Sequence, residues 1–222
     1  MQNTFPEHNQ PLRIRAYLQS RVISDQYLPL DGVLYAITVR EKYGERDVTL
    51  PNESLVPEGG AIHLPFGKHN KQNDSWFYAC SFAQWPAQTV EYSDSYNKRF
   101  DLKESDLVDF KGKREIVDNS RGQYKSYHIK VYARHSIYVD WFCTGYKPEI
   151  ERLLKFATHL GKKTSQGEGA VLRWEVKEWP EDWSVRGGNN QLMRAVPANN
   201  GVLFGLRPSY WLPKHQFQCK MP

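Results

Sequence analysis

Residues 159–176, HLGKKTSQGEGAVLRWEV, bring together three glycines (Gly161, Gly167, Gly169), two lysines (Lys162, Lys163) and small polar residues (Thr164, Ser165, Gln166) before an alternating segment. Upstream, Pro148 suits the first turn of a helix, where its missing N–H costs nothing. Ile150, Leu153, Leu154, Ala157 and Leu160 then recur at helical spacing, and Gly161 stands where a helix stops. Downstream, Ala170, Leu172, Trp174 and Val176 alternate with Val171, Arg173 and Glu175, the pattern of a strand with two unlike faces. The loop therefore reads as the link from a helix to a strand.

Working back from it, residues 127–134 and 137–143 are two strand-like runs separated by His135 and Ser136. A two-residue turn there would make a hairpin, although His-Ser is not a favoured turn pair. Residues 75–82 (SWFYACSF) read as a buried strand. At the start of the chain, Leu12, Ile14, Ala16 and Leu18 share one face of a strand, with Arg13, Arg15 and Tyr17 on the other. Asp31 is placed to cap a helix over about 32–42, with Val33, Leu34 and Ile37 inward and Gly44 as its C-cap. Strand, helix, excursion, hairpin, helix, glycine loop and strand give the β-α-β-β-α-β order of an α+β, ferredoxin-like (RRM-like) fold. Residues 1–222 then form one domain, with an insertion at about 44–125 and a C-terminal extension at 178–222. Trp183, Phe204, Tyr210 and Trp211 make that extension too apolar to float free, so it is expected to pack back on the sheet.

Hydrophobic residues form 40% of the 222 and aromatic residues 14%, enough for a core, and the net charge is +5. That excess fits ordinary solubility charge or a polyanionic partner, and the partner requires clustering on one face. Cationic residues between 98 and 134, including Lys98 and Arg99, are interspersed with acids, as on a solvated face. Tyr92, Tyr96, Tyr124, Tyr127 and Tyr132 add ring faces on which unpaired bases stack. Cys80, Cys143 and Cys219 are few, odd in number and far apart, which fits neither a disulfide framework nor a zinc site and favours a reducing, cytoplasmic setting. No apolar run approaches the roughly 18 residues of a membrane span, so no membrane partner is expected.

The loop invites a phosphate. A Walker loop needs an earlier glycine where Phe156 stands, and it follows a strand and precedes a helix, the reverse of the order here. A dinucleotide loop fails on the same order. What remains is either a flexible surface turn or a loop whose N–H groups, with Lys162 and Lys163, bind successive phosphates of a polymer. For catalysis, His63, His128, His135 and His159 are general acid–base candidates, but none carries a recognisable partner, and no catalytic residue, metal site or cofactor is expected.

The loop and the opening segment at 12–35 (LRIRAYLQSRVISDQYLPLDGVLY) resemble the RAMP superfamily of CRISPR-associated RNA-binding proteins. LPLDGVLY at 28–35, YVDWFCTG at 138–145, the loop and GLRPSYWLP at 205–213 are similar, in that order, to the Cas-five-type (Csf-three-type) subunit of type IV CRISPR complexes. The resemblance implies a non-catalytic subunit that caps the 5′ handle of a crRNA. It also implies contacts with the backbone and large subunits of the complex and with target DNA nearby. A thumb-like hairpin belongs to that family and is expected at about 84–125. Carried over to this chain, the RNA-contacting loop would be Gly161, Lys162, Lys163, Thr164, Ser165, Gln166, Gly167 and Gly169; apart from the resemblance, the basic face of the first strand adds Arg13 and Arg15 as candidates, with Lys98, Arg99 and Arg173. The alternative within the superfamily is an endoribonuclease that processes pre-crRNA with His128 or His135.

Overall fold

A computed structural model of the chain describes residues 9–43, 62–101, 103, 117–121 and 124–222. Gly44, expected as a helix cap, and much of the insertion lie outside these residues. The fold is α+β, with mostly antiparallel sheets and two helices. The central strand is β1 (Gln10–Leu18), flanked antiparallel by β7 (Tyr138–Gly145) and β8 (Val171–Glu178). Leu12, Ile14 and Ala16 of β1, with Val139, Trp141 and Cys143 of β7, form the buried face. Against it pack α1 (Leu30–Tyr43), through Leu30, Leu34 and Ile37, and α2 (Lys147–Leu154), through Ile150, Leu153 and Leu154.

Three local readings change. The helix α2 stops at Leu154, and Ala157 and Leu160 reach the core from extended chain instead. His159 bridges Ala170 antiparallel, so the glycine loop closes a short ladder rather than a helix end. In β8 the register slips between Tyr17 and Leu18, which pair with Arg173 and Val171. Such a bulge moves side chains to the opposite face: Val171 joins the core and Leu172 is left exposed. Thirdly, the two runs around His135 and Ser136 are strands, but they do not pair with each other. The strand β6 (Tyr127–His135) pairs over its full length with β5 (Val90–Lys98) and, at its base, with β2 (Val22–Ile23). A two-residue turn needs positive φ at one or both central residues, and neither His135 nor Ser136 adopts it.

The place beside β7 is taken by residues 79–84. The Ser81 and Gln84 amides donate to the Phe142 and Asp140 carbonyls at 2.7 Å, and the Thr144 amide donates to Ala79. The short strands β3 (Lys68–His69) and β4 (Phe77–Tyr78) pair just before this segment. The extension contributes β9 (Val196–Gly205) and β10 (Gln216–Lys220), a hairpin over a second small core of Phe77, Phe82, Ala195, Leu206 and Cys219. Asp31 is not a surface cap but lies fully buried in the first turn of α1, accepting from the Gly32 amide and the Tyr210 hydroxyl. The equally buried Arg194 sits 3.8 Å from Asp31 and donates to the carbonyls of Tyr78, Cys80 and Leu206. Burial pushes the Asp31 carboxyl pKa up while Arg194 and the Tyr210 hydroxyl pull it down, and Asp31 and Arg194 together join α1, residues 78–80 and the extension at one point.

Candidate functional site

The glycine loop is built by close approaches that exclude side chains. Gly161 (φ +78°) and Gly169 (φ +71°) have left-handed backbones, and a Cβ on them would stand 2.2 Å from the Ile23 carbonyl oxygen and 1.9 Å from that of Leu160. The Lys162 amide donates to Ile23 at 2.6 Å and the Gly169 amide to Arg21 at 2.7 Å, which pins both ends of the loop to β2 and the residue before it. Between them Lys163 is left-handed (φ +63°) and residues 164–166 make one 3-10 turn. The amides of Gln166, Gly167 and Glu168 fold back on Lys163 and Thr164. Those of Lys163, Thr164 and Ser165 take part in none of the loop's backbone hydrogen bonds and are three consecutive donors at its exposed tip. A left-handed residue followed by helical ones makes such donors convergent enough for an anion.

The loop meets the β5–β6 hairpin. Arg21 binds the Glu168 carboxylate with two nitrogens at 2.8–2.9 Å, and also Asp94 at 2.6 Å and the Tyr92 hydroxyl at 3.1 Å. These carboxylate hydrogen bonds hold its guanidinium well above the ordinary range. The Lys163 ammonium lies 3.5 Å from the centre of the Tyr96 ring, a cation–π contact. The Lys162 ammonium reaches Asp25 at 2.6 Å in an open, exposed pair. Arg134 ties the hairpin base through Glu91, Ser24 and the Asp25 carbonyl. Lys98 lies on the same hairpin face as Tyr96 by strand alternation. With Arg99, Phe100, Tyr124 and Lys125 it lines a hollow of about 260 Å³ at the far end, and among the described residues Lys98 and Arg99 make no ion pair.

The sheet-face candidates are differently placed. Arg13 pairs with Glu175 at 2.9 Å, and Arg15 holds both Asp140 oxygens at 2.7 Å while stacking 3.7 Å from the Tyr138 ring. Alternation within β1 shows a basic face; the acids that neutralise it come from β7 and β8. Arg173 stacks 3.5 Å from Tyr17 and keeps about half of its side chain in solvent. The guanidinium groups of Arg173 and Arg15 beside Tyr17 hold its pKa below the usual phenol range. Phe142, Trp179 and Trp183 cover the rest of that face. The loop residues thus join the hairpin, while Arg13 and Arg15 are engaged on the sheet.

Of the histidines, His128 is hydrogen-bonded to Asn97 on the hairpin and His159 to the Thr158 hydroxyl; His135 is exposed at the base of the same hairpin and His63 is exposed on another segment. The thiols Cys80 and Cys143 are buried neighbours pushed up by desolvation. Among the described residues no cluster of His, Cys, Asp or Glu could hold a metal ion, and no helix is long and apolar enough to cross a membrane. Sequence reasoning missed Asp25, Arg21, Asp94 and Glu168, whose roles depend on contacts across more than 70 residues. It noted Tyr96, as one of several scattered rings.

The molecule is thus an α+β protein with a glycine-pinned surface loop fastened to a long antiparallel hairpin. The chain belongs to the family described as CRISPR type IV associated protein Csf3, whose model matches residues 10–222. The match takes in the hairpin, the loop and the C-terminal extension. No curated protein matches the chain.

Proposed function

We propose that the protein is a non-catalytic RNA-binding subunit of a type IV CRISPR ribonucleoprotein, capping the 5′ handle of the crRNA. Membership of the family makes it a type IV CRISPR-associated protein; the handle, the backbone and large subunits as partners, and nearby target DNA are the finer reading. The observation that carries it is the junction of loop and hairpin. Lys163 on Tyr96 and three consecutive amide donors put phosphate donors beside the ring-bearing hairpin, and Lys98 and Arg99, which make no ion pair among the described residues, continue that charge at its far end. Single-stranded RNA is held by that combination, charge along the backbone and stacking for bases. The strand order supports a ferredoxin-like reading: taking 79–84 as the second strand, the last, first, third and second strands lie side by side and antiparallel. In the same reading β5–β6 is the thumb, with arms that end at His135 rather than near residue 125. The setting is cytoplasmic, where the RNA is.

The test is binding of a guide RNA carrying its 5′ handle across a salt series. Changing Lys162 and Lys163 together to Glu should weaken binding and flatten the log affinity–log salt slope by about 1.4, since each single-strand phosphate contact adds about 0.7. Unchanged affinity and slope would remove the loop from the RNA surface. Metal-free cleavage of repeat RNA that His128→Ala or His135→Ala abolishes would replace the non-catalytic assignment with the endoribonuclease.

A further inference from the structure

Behind the glycine loop lies a cleft of about 760 Å³, between α1, the chain entering the loop and the turn at Tyr210 and Trp211. Its volume falls within the roughly 300–1,000 Å³ usual for small-ligand sites. One wall is the loop itself, with Gly161, Lys162, Thr164 and Ser165; the floor is apolar, from Val33, Ala36 and Ile37 of α1. Two large rings on its lining, Trp211 and Phe156, are 66% and 58% exposed, and neither stacks on another ring among the described residues. Trp141 and Phe82 are buried by contrast, and another strongly exposed ring, Tyr132 at 70%, lies on β6 outside this cleft. Trp211 is also firmly mounted. Its neighbour Tyr210 donates its hydroxyl to the buried Asp31, and the Tyr210 ring packs over Gly32 so closely that a Cβ there would stand 3.3 Å away. The charge lining the cleft is Lys162 and Arg40 against one carboxylate, Asp25, which already holds Lys162.

A flat ring face, an apolar floor, hydroxyls at the rim and a phosphate-binding loop as one wall match one chemistry: a nucleobase whose own phosphate stays on the loop. We infer that this cleft takes one unpaired base of the bound RNA, stacked on Trp211, with its phosphate on the side of Lys162 and Ser165. This rests on the RNA-binding reading above and adds to it a base site behind the loop, whose lining includes no residue of the hairpin strands.

The experiment uses the full chain and handle-bearing RNA in which each handle nucleotide in turn is made abasic. Trp211→Ala should weaken binding by roughly 5- to 100-fold, as removal of one base-stacking ring does. It should leave the salt slope unchanged, because no phosphate contact is lost. Trp211→Phe keeps a stacking face and should retain most of the affinity; an unchanged melting temperature in both variants separates loss of the stack from loss of the fold. One abasic position should reproduce the Trp211→Ala loss in the wild type and add nothing to it in the variant, the non-additivity of two partners in one contact. Full affinity of Trp211→Ala, or additive effects at every abasic position, overturns the base site. If Lys162→Glu with Lys163→Glu lowers affinity while Trp211→Ala does not, the RNA-binding reading stands and the base site falls. If no RNA binds beyond what any basic protein achieves, both fall. Loss of co-purifying protein subunits in Trp211→Ala at unchanged RNA affinity also overturns it, by making the cleft a protein contact.

Discussion

Lys162 is the cation in the loop with a carboxylate already on it. Asp25 is 2.6 Å away, and the two side chains are 78% and 59% exposed for acid and base respectively. An ion pair that open contributes little to stability, so its interest is competitive: a phosphate arriving at Lys162 must displace Asp25 or share the ammonium with it. Asp25→Asn should therefore fold as the wild type does and bind handle RNA more tightly, by roughly two- to tenfold at low salt, the gain shrinking as the Debye length contracts. Anisotropy titrations at several salt concentrations read this directly. Weaker binding by Asp25→Asn would instead make Asp25 a residue that positions Lys162. Gly169 shows the other kind of dependence at this scale, because its left-handed backbone and the 1.9 Å approach to the Leu160 carbonyl leave no space for any side chain. Gly167 is left-handed too, but stands in open space, so its requirement is one of backbone angle alone.

Among the elements, the loop and the β5–β6 hairpin are far apart in sequence and held together by Arg21, which contacts Glu168 on one and Asp94 and Tyr92 on the other. Arg21→Met keeps the stem's bulk and removes all of these charge-assisted hydrogen bonds; such bonds stabilise by about 1.5–3 kcal/mol each, and by less where, as here, the side chains are partly open to solvent. Hydrogen exchange in the variant should quicken in residues 90–98 and 161–169 together, with β1 and β7 unchanged, and RNA binding should weaken with it. Opening of one segment without the other would show that Arg21 does not couple them. The two helices and β1, β6, β7 and β8 were legible, because amphipathic alternation in β1 and helical spacing around Ile150 and Leu153 report burial of a single face; β5, β9 and β10 were not read as strands, their residues being mostly exposed or half-buried and without that alternation. Partnerships between elements were not legible. The pattern at 127–143 shows two strands but not that β6 turns away to β5, since nothing in a strand's own residues names its neighbour. The bulge that exposes Leu172 and buries Val171 was equally hidden, because one slipped residue inverts a face without altering composition. For the site, the glycines and lysines were visible as a loop, while the acids that hold Lys162, Arg13 and Arg15 come from segments distant in sequence.

At the scale of the whole molecule, the extension is held on by groups that do not tolerate an added proton. His69 of β3 lies 3.2 Å from the Ser184 hydroxyl and against Phe77, and burial pulls its pKa below the usual imidazole range. Asp182 opposes that shift, while Arg194 and Lys71 reinforce it. His215, just before β10, is likewise pulled down by burial, with the Ser209 carbonyl accepting from its Nδ1–H and Arg207 and Lys214 nearby. Both contacts lie where the extension meets the rest of the chain or closes on itself. In the unfolded chain each imidazole titrates near 6.5, and in the folded protein each does so lower. Below about pH 6.5 the unfolded state therefore binds more protons than the native one, and stability must fall as pH falls. The contribution is complete above that pH and lost on descent through the folded pKa values, well before carboxylates held down by hydrogen bonds, such as Asp94 by the Ser95 amide and Arg21 and Glu175 by Lys177, begin to protonate. Denaturant midpoints measured between pH 7.5 and 5.5 should decline, and the decline should be shallower in a variant with His69→Gln and His215→Gln, which has no imidazole to charge at either place. Parallel profiles for the two proteins would assign the acid sensitivity elsewhere. Because the same extension carries Tyr210 and Trp211, RNA affinity at fixed salt should follow the stability profile of the wild type down the pH scale and stay flatter in the variant, which joins the outer end of the molecule to the surface behind the loop.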